Sequence, residues 1–268
     1  MVYCIRMTAK ETDPAFNDDG LKADFFGRKA IYYPRLESTM DIARREAQRG
    51  TTQGTVIIAG EQTSGRGRAE RAWLSPKGNI ALSIILYPDI SQLPFLIMIA
   101  SLAVVHSIES VTGLKTWIKW PNDILMNGKK VCGILIENEV KSNKLVYSII
   151  GIGINVAVTP KFGEVSASAT SLKDELGGSV LRAHIIKQLL FEIERMYLML
   201  PDENRIFQEW QDRMITLGKE VSVNSGNAIL EGVAESVDKN GALLLRHTDG
   251  SSTKVVAGDV SLRDNYRQ

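Results

Sequence analysis

The sequence predicts an α+β protein in which a large domain of buried strands and helices is followed by a small all-β domain. Residues 56–59, 79–87, 131–136 and 145–155 are short runs rich in Val, Ile and Leu and apolar on both faces, as strands covered on both sides require. Helical periodicity runs through residues 39–49, 94–111 and 182–200, with Ile185, Leu189, Ile193 and Met196 forming one stripe of the last. From Gly218 onward the texture changes to short alternating strands punctuated by Ser225-Gly226, Asn240-Gly241 and Asp249-Gly250, which reads as a small barrel of hairpins. We place the boundary near Thr216, so that a lead-in over residues 1–29 precedes a main domain over 30–215 and a second domain over 216–268.

Composition limits the function classes. A chain of 268 residues with 44% apolar content buries a substantial core. Its 32 basic and 31 acidic residues leave a net charge of +1, so no global field draws it to nucleic acid or to an anionic membrane. Cys4 and Cys132 lie far apart, without the spacing of a disulfide framework or a zinc site, which points to a reducing cytoplasm. Residues 1–6 hold no apolar core of signal-peptide length.

Each element has a local reason. Residues 30–33 form a strand entering Pro34, and Phe25-Phe26-Gly27 ahead of it packs on the domain that follows. Ser38-Thr39-Met40-Asp41 has the form of a capping box, with Met40, Ala43 and Ala47 on the buried face of the helix and Gly50 just past its end. A helix N-terminus also attracts anions, and both readings of Ser38 and Thr39 hold together. Residues 94–111 are apolar nearly all round. Ser101, His106, Ser107 and Glu109 interrupt the run before the ~20 residues a bilayer needs, so it is a buried core helix with a packed histidine and no membrane is involved. Asn127-Gly128 between apolar runs predicts a type I′ hairpin that sets Lys130 near the start of a strand. Asp202 caps a further helix reaching Met214.

The chemistry gathers at two stretches. Gly65-Arg66-Gly67-Arg68-Ala69-Glu70-Arg71 hangs three arginines and two glycines behind a buried strand. Glycine brings bare N–H groups close to a ligand and arginine supplies paired donors for phosphate or carboxylate, although a solvated or nucleic-acid-binding loop has the same composition. The second stretch is Lys119-Trp120-Pro121-Asn122-Asp123 through Lys130 to Gly133, where a lysine at the mouth of a buried strand needs an anionic partner. Gly151-Ile152-Gly153 lies within a strand, so it fits close backbone packing or ligand approach better than dinucleotide binding. No Walker-type phosphate loop occurs, which leaves the arginine loop to hold any mononucleotide.

Ser38-Thr39 before a helix, Gln62 with Gly65-Arg66-Gly67-Arg68, Lys119-Trp120-Pro121-Asn122-Asp123, Lys130 with Gly133, and Gly151-Ile152-Gly153-Ile154-Asn155 follow one another as in the biotin protein ligases, which the chain resembles. Ala169-Thr170-Ser171-Leu172 and Asn240-Gly241-Ala242-Leu243 add to the likeness. The resemblance implies a mixed sheet flanked by helices, related to class II aminoacyl-tRNA synthetases, with a small SH3-like barrel after it. It implies an enzyme that couples biotin to ATP, releases pyrophosphate to form biotinyl-5'-AMP, and passes biotin to a lysine of a biotin carboxyl carrier protein domain. Lys130, Arg66 and Arg68 would neutralise the reacting carboxylate and α-phosphate. Ser38, Thr39, Met40, Gln62, Gly65, Gly67 and Gly133, with Arg66, Arg68 and Lys130, would surround biotin. Arg71, Lys119, Asn122, Asp123 and Asn155 would join Arg66 and Arg68 at the nucleotide, and Trp73 either stacks on adenine or packs on the sheet. Magnesium would be held largely by ATP phosphates. A lipoate-type acyl ligase on the same fold is the alternative. A DNA-binding repressor would need an amino-terminal helix-turn-helix, for which residues 1–29 are too short, so no nucleic acid is expected as a partner. Family analogy also allows a homodimer through a sheet edge. Ala69-Glu70 departs from the family loop, and Glu70 is expected to pair with a neighbouring arginine in the empty site.

Overall fold

The computed structural model describes residues 26–159, 168–226 and 228–262, so the readings on residues 1–25 lie outside it. A seven-stranded mixed sheet runs in the order β1-β2-β3-β7-β6-β5-β4. Strand β1 (Ala30–Tyr33) is parallel to β2 (Val56–Ala59), with α1 (Thr39–Gln48) as the crossover. Strands β3 (Ile80–Leu86), β4 (Trp117–Lys119), β5 (Asp123–Met126), β6 (Lys129–Lys141) and β7 (Lys144–Ile154) add antiparallel pairs. Asn127 and Gly128 take φ of 49° and 77° between β5 and β6, the left-handed pair that the sequence predicts.

Alternation along the strands divides two faces. On the back, Val56 and Ile58 of β2, Ile80, Leu82 and Ile84 of β3, and Ile150, Ile152 and Ile154 of β7 enter the main core. They meet α2 (Leu93–Thr112), α3 (Leu172–Leu176), α4 (Arg182–Leu198) and α5 (Glu203–Asp212) there. Helix α2 is buried along most of its length, and Ser101 and Ser107 donate back to the carbonyls of Ile97 and Val104, so these polar positions are satisfied inside the core. On the front, Met40, Ala43 and Ala47 of α1 pack on Ile57, Ile85 and Ile149. Between Ile124 and Leu125 the pairing of β5 with β6 shifts by one residue, so Val131 is extra. Val131 and Cys132 therefore both join the back core, while Lys130 and Gly133 line a cavity on the front.

A five-stranded antiparallel sheet in the order β11-β10-β9-β8-β12 forms the small SH3-like domain. Its strands are β8 (Glu220–Ser225), β9 (Ala228–Val237), β10 (Leu243–Arg246), β11 (Ser252–Val255) and β12 (Asp259–Leu262). Trp120 ties it to the main sheet: its backbone N–H donates to Thr216 Oγ1 at 2.9 Å and its indole N–H to the Gly241 carbonyl at 2.9 Å. Phe26 is fully buried and meets Tyr197 of α4 edge to face, as the packing expected of the lead-in requires.

His106 is a packed histidine. Its Nε2 lies 2.7 Å from Glu209 of α5, and its Nδ1 lies 2.9 Å from Arg195 Nη2 and 3.5 Å from Glu192, both on α4. Burial pushes the Glu192 carboxyl up, but hydrogen bonds from His106, Arg195 and Gln188 outweigh burial and hold it at about 2. A carboxyl depressed in the fold stabilises above its unfolded value of 4.5, and that stability is lost as pH falls through about 2. Glu192→Gln should therefore cost about 2–3 kcal/mol at pH 7. Urea unfolding should show the difference shrinking below pH 4.5 and vanishing near pH 2.

Candidate active site

The front face of the sheet is bare where β6 meets β7. Gly133 and Gly153 stand opposite one another in register, and Gly151 follows two residues away on the same face. Trp73 lies on this strip. A Cβ at Gly153 would fall inside its indole, and one at Gly133 would come within 3.0 Å of the ring. The Met40 sulfur covers Gly151 in the same way. Close packing of backbone and side chain thus accounts for the Gly-x-Gly pair.

The arginine stretch forms an arch whose legs pair, with Trp73 N–H donating to the Gly65 carbonyl at 2.8 Å and Gly67 N–H to the Arg71 carbonyl at 2.7 Å. Gly65 has no room for a side chain because the Trp73 carbonyl and Gln62 press on it. At the tip, Ala69 and Glu70 both take left-handed conformations, with φ of 50° and 58°. The pairing of Glu70 with a neighbouring arginine that the sequence suggests does not form among the described residues, because other carboxylates hold the arginines. Arg66 Nη2 lies 2.7 Å from Asp41 and 3.6 Å from Glu137, and Arg71 pairs with Asp259. Arg68 Nη1 donates to Asn122 Oδ1 at 3.1 Å and to the Gly258 carbonyl at 3.2 Å. Behind Arg66, Arg44 donates to Glu137 at 2.5 Å, a hydrogen bond that raises the Arg44 guanidinium above its ordinary value.

A neutral cluster lies alongside, at the start of α1. Thr39 donates its N–H and its hydroxyl to Gln62 Oε1 at 2.8 and 3.0 Å, and Ser83 donates to Thr39 Oγ1 at 2.8 Å. The capping box does not form. Ser38 occupies the N-cap position without a side-chain cap; Gln62 takes the Thr39 N–H, and the Asp41 carboxylate turns to Arg44 and Arg66. The Ser38 hydroxyl is left buried beside the cavity with no hydrogen bond among the described residues.

Lys130 reaches across Gly133, 5.4 Å above the Trp73 ring centre and 2.5 Å from Asp123 Oδ1. Asn122 donates to the Ile134 carbonyl at 2.7 Å while accepting from Arg68, so it orients the arginine. Asn155 donates to the Thr170 carbonyl at 3.0 Å and accepts from Asn79 at 3.4 Å, which makes it a tie between two loops.

These elements enclose a cavity of about 740 Å³. Ser38, Thr39, Met40, Gln62, Arg66, Gly67, Arg68, Arg71, Trp73, Asn122, Asp123, Lys130, Gly133 and Asn155 line it. Gly65 and Lys119 lie outside the lining, and burial lowers the Lys119 ammonium below its ordinary value. Sequence reasoning left out Leu74, Ala81, Leu135 and Asp259, as well as Gly151 and Gly153 as lining residues. For the two glycines the signal was present, because residues two apart on a strand share a face. The Ser38 hydroxyl and Arg66 Nε are buried without a hydrogen bond among the described residues, while Arg66 Nη2 is held by its ion pair with Asp41, and both side chains line the cavity. Gly153→Ala should displace Trp73 from the sheet and destabilise the fold by about 1–3 kcal/mol. A changed tryptophan emission spectrum and a lower unfolding midpoint would report it, and an unchanged pair would show that the ring is not seated on Gly153.

Residues 32–155 match the Biotin/lipoate A/B protein ligase family and residues 216–263 the Biotin protein ligase C terminal domain. The chain is 38% identical over 250 residues to the bifunctional ligase/repressor BirA of Bacillus subtilis, covering 91% of this chain and 77% of that one. It is 33% identical over 228 residues to the biotin--[acetyl-CoA-carboxylase] ligase of Paracoccus denitrificans, covering 81% and 93%. The structure of the biotin protein ligase from Aquifex aeolicus in complex with biotin and ATP superposes with a TM-score of 0.75 at 29% identity, over 88% of this chain and 98% of that one. With both segments matched and such likeness along nearly its whole length, the chain belongs to the biotin protein ligase family.

Proposed function

We propose that the protein activates biotin with ATP to biotinyl-5'-AMP and transfers biotin to a lysine of a biotin carboxyl carrier protein domain. The observation that carries this is one cavity lined both by the Ser38 hydroxyl, buried without a hydrogen bond among the described residues, and by the cations Arg66, Arg68 and Lys130, a lining that suits a ligand with a neutral polar group and an anionic one. A ureido ring suits Ser38, Thr39 and Gln62. An aliphatic chain suits Met40, Trp73 and the glycine strip. A carboxylate then arrives between Lys130 and Arg66, where the α-phosphate of a nucleotide held by Arg68, Arg71, Asn122 and Asp123 would meet it. Magnesium would come with the nucleotide, held largely by its phosphate oxygens.

Attack of the carboxylate on the α-phosphate brings two anions together. Lys130 leaves Asp123 and Arg66 leaves Asp41 and Glu137 to neutralise the developing charge, and pyrophosphate departs. The carrier lysine then attacks the carbonyl carbon of the mixed anhydride and AMP leaves with the electrons of the cleaved bond. We place the reaction in a reducing cytoplasm, where Cys132 remains a buried thiol whose pKa burial pushes up, keeping it protonated.

Incubation with biotin and ATP should give a bound adenylate by native mass spectrometry and, with a carrier domain added, a biotinylated lysine. Absence of both, with lipoate labelling in their place, would overturn the reading. Lys130→Ala should slow adenylate formation by about 10²–10³-fold, the loss expected for one charge-stabilising donor. Rapid-quench assay of pyrophosphate release measures this, and a rate within a few-fold of the unsubstituted enzyme would remove Lys130 from the chemistry.

A further inference from the structure

We infer that Asp259 of the small domain competes with phosphate for the arginine arch, holding its tip until a polyphosphate displaces it. Asp259 lines the cavity although it belongs to β12. Arg71 Nη2 pairs with its Oδ2, and Arg68 Nη1 lies 3.9 Å from its Oδ1 while donating to the preceding Gly258 carbonyl. Both arginines at the tip of the arch therefore meet one short stretch of the small domain.

The backbone there is held firmly. A Cβ at Gly258 would come within 2.8 Å of Val223 Cγ1 and 2.9 Å of the Asn224 carbonyl oxygen, and Asp259 itself pairs with Asn224 of β8. On the opposing side, Ala69 and Glu70 between the arginines are in left-handed conformations that L side chains rarely adopt. The tip is thus a strained turn held at both ends to a fixed carboxylate and carbonyl. A carboxylate offers a guanidinium the same kind of anionic oxygens as a phosphate, and one donor edge cannot serve both. An arriving polyphosphate must displace Asp259 from Arg71.

The inference rests on the proposed nucleotide site, but tripolyphosphate separates the two because it needs no turnover. Asp259→Asn removes the charge with little change of shape, and Asp259→Glu keeps it. In Asp259→Asn, tripolyphosphate should bind about two- to fivefold more tightly at low salt, the range expected for a partly exposed pair, with the gain shrinking at high salt. The ATP KM should fall in parallel, and trypsin should cut after Arg68 and Arg71 faster in the ligand-free variant. Asp259→Glu should stay near the unsubstituted enzyme. Unchanged or weaker tripolyphosphate binding in an Asp259→Asn protein with a normal melting temperature overturns the inference. If that variant fails to fold, Asp259→Ser takes its place, and unchanged or weaker tripolyphosphate binding there does the same. Failure of biotin labelling with the tripolyphosphate effect intact would instead remove the ligase reading.

Discussion

Bare backbone on the front of β6 and β7 is the constraint on which the site depends. Gly133 and Gly153 face one another across the two strands, and the absence of both side chains lets an indole lie directly on the sheet there. Trp73 ends one leg of the arginine arch, so seating its ring also positions Arg66, Arg68 and Arg71 over the cavity. Trp73 is half-buried, and the face of its ring against the glycines anchors a loop otherwise rich in charge and glycine. Lys130 uses the same strip, since a side chain at Gly133 would press on its Cε and Nζ.

Charge is handled by pairing. Lys130 has Asp123, Arg66 has Asp41 and Glu137, and Arg71 has Asp259. Cations crowded at a partly dry cavity without counterions would repel one another and lose hydration. With carboxylates in place, an anionic ligand exchanges one ion pair for another, and the ground state gains little. Stabilisation then appears where charge develops, which is what accelerates a reaction.

Much of this was readable in the sequence because it is local. The left-handed Asn127-Gly128 turn, the buried α2 and the change of texture after Gly218 each follow from a few consecutive residues. The ordered motifs located nearly all of the polar cavity lining. What the sequence did not show depends on contacts between distant segments. The shift that makes Val131 extra and turns Lys130 forward emerges only when β5 pairs with β6. The reciprocal half of the expected capping box is lost because the Asp41 carboxylate turns to Arg66, which comes from a separate loop. Asp41 and Glu137 met Arg66 across α1 and β6, so Glu70 was left without the role its neighbours suggested.

Asp259 is the furthest case, because no spacing within either domain points from it to the arch. Its place follows from how the small domain docks. Trp120 fixes that domain at Thr216 and Gly241, and Asn122 and Asp123, just beyond it in the chain, line the cavity. Asn122 in turn orients Arg68, whose other hydrogen bond is to Gly258. The path from Trp120 through Asn122 and Arg68 back to the small domain is closed. A shift of that domain at Trp120 would therefore be felt at the arginines from both sides, through the segment that carries Asn122 and through Asp259 itself. The small domain is in this sense a wall of the site, and its orientation sets the charge that the arch meets before any ligand arrives.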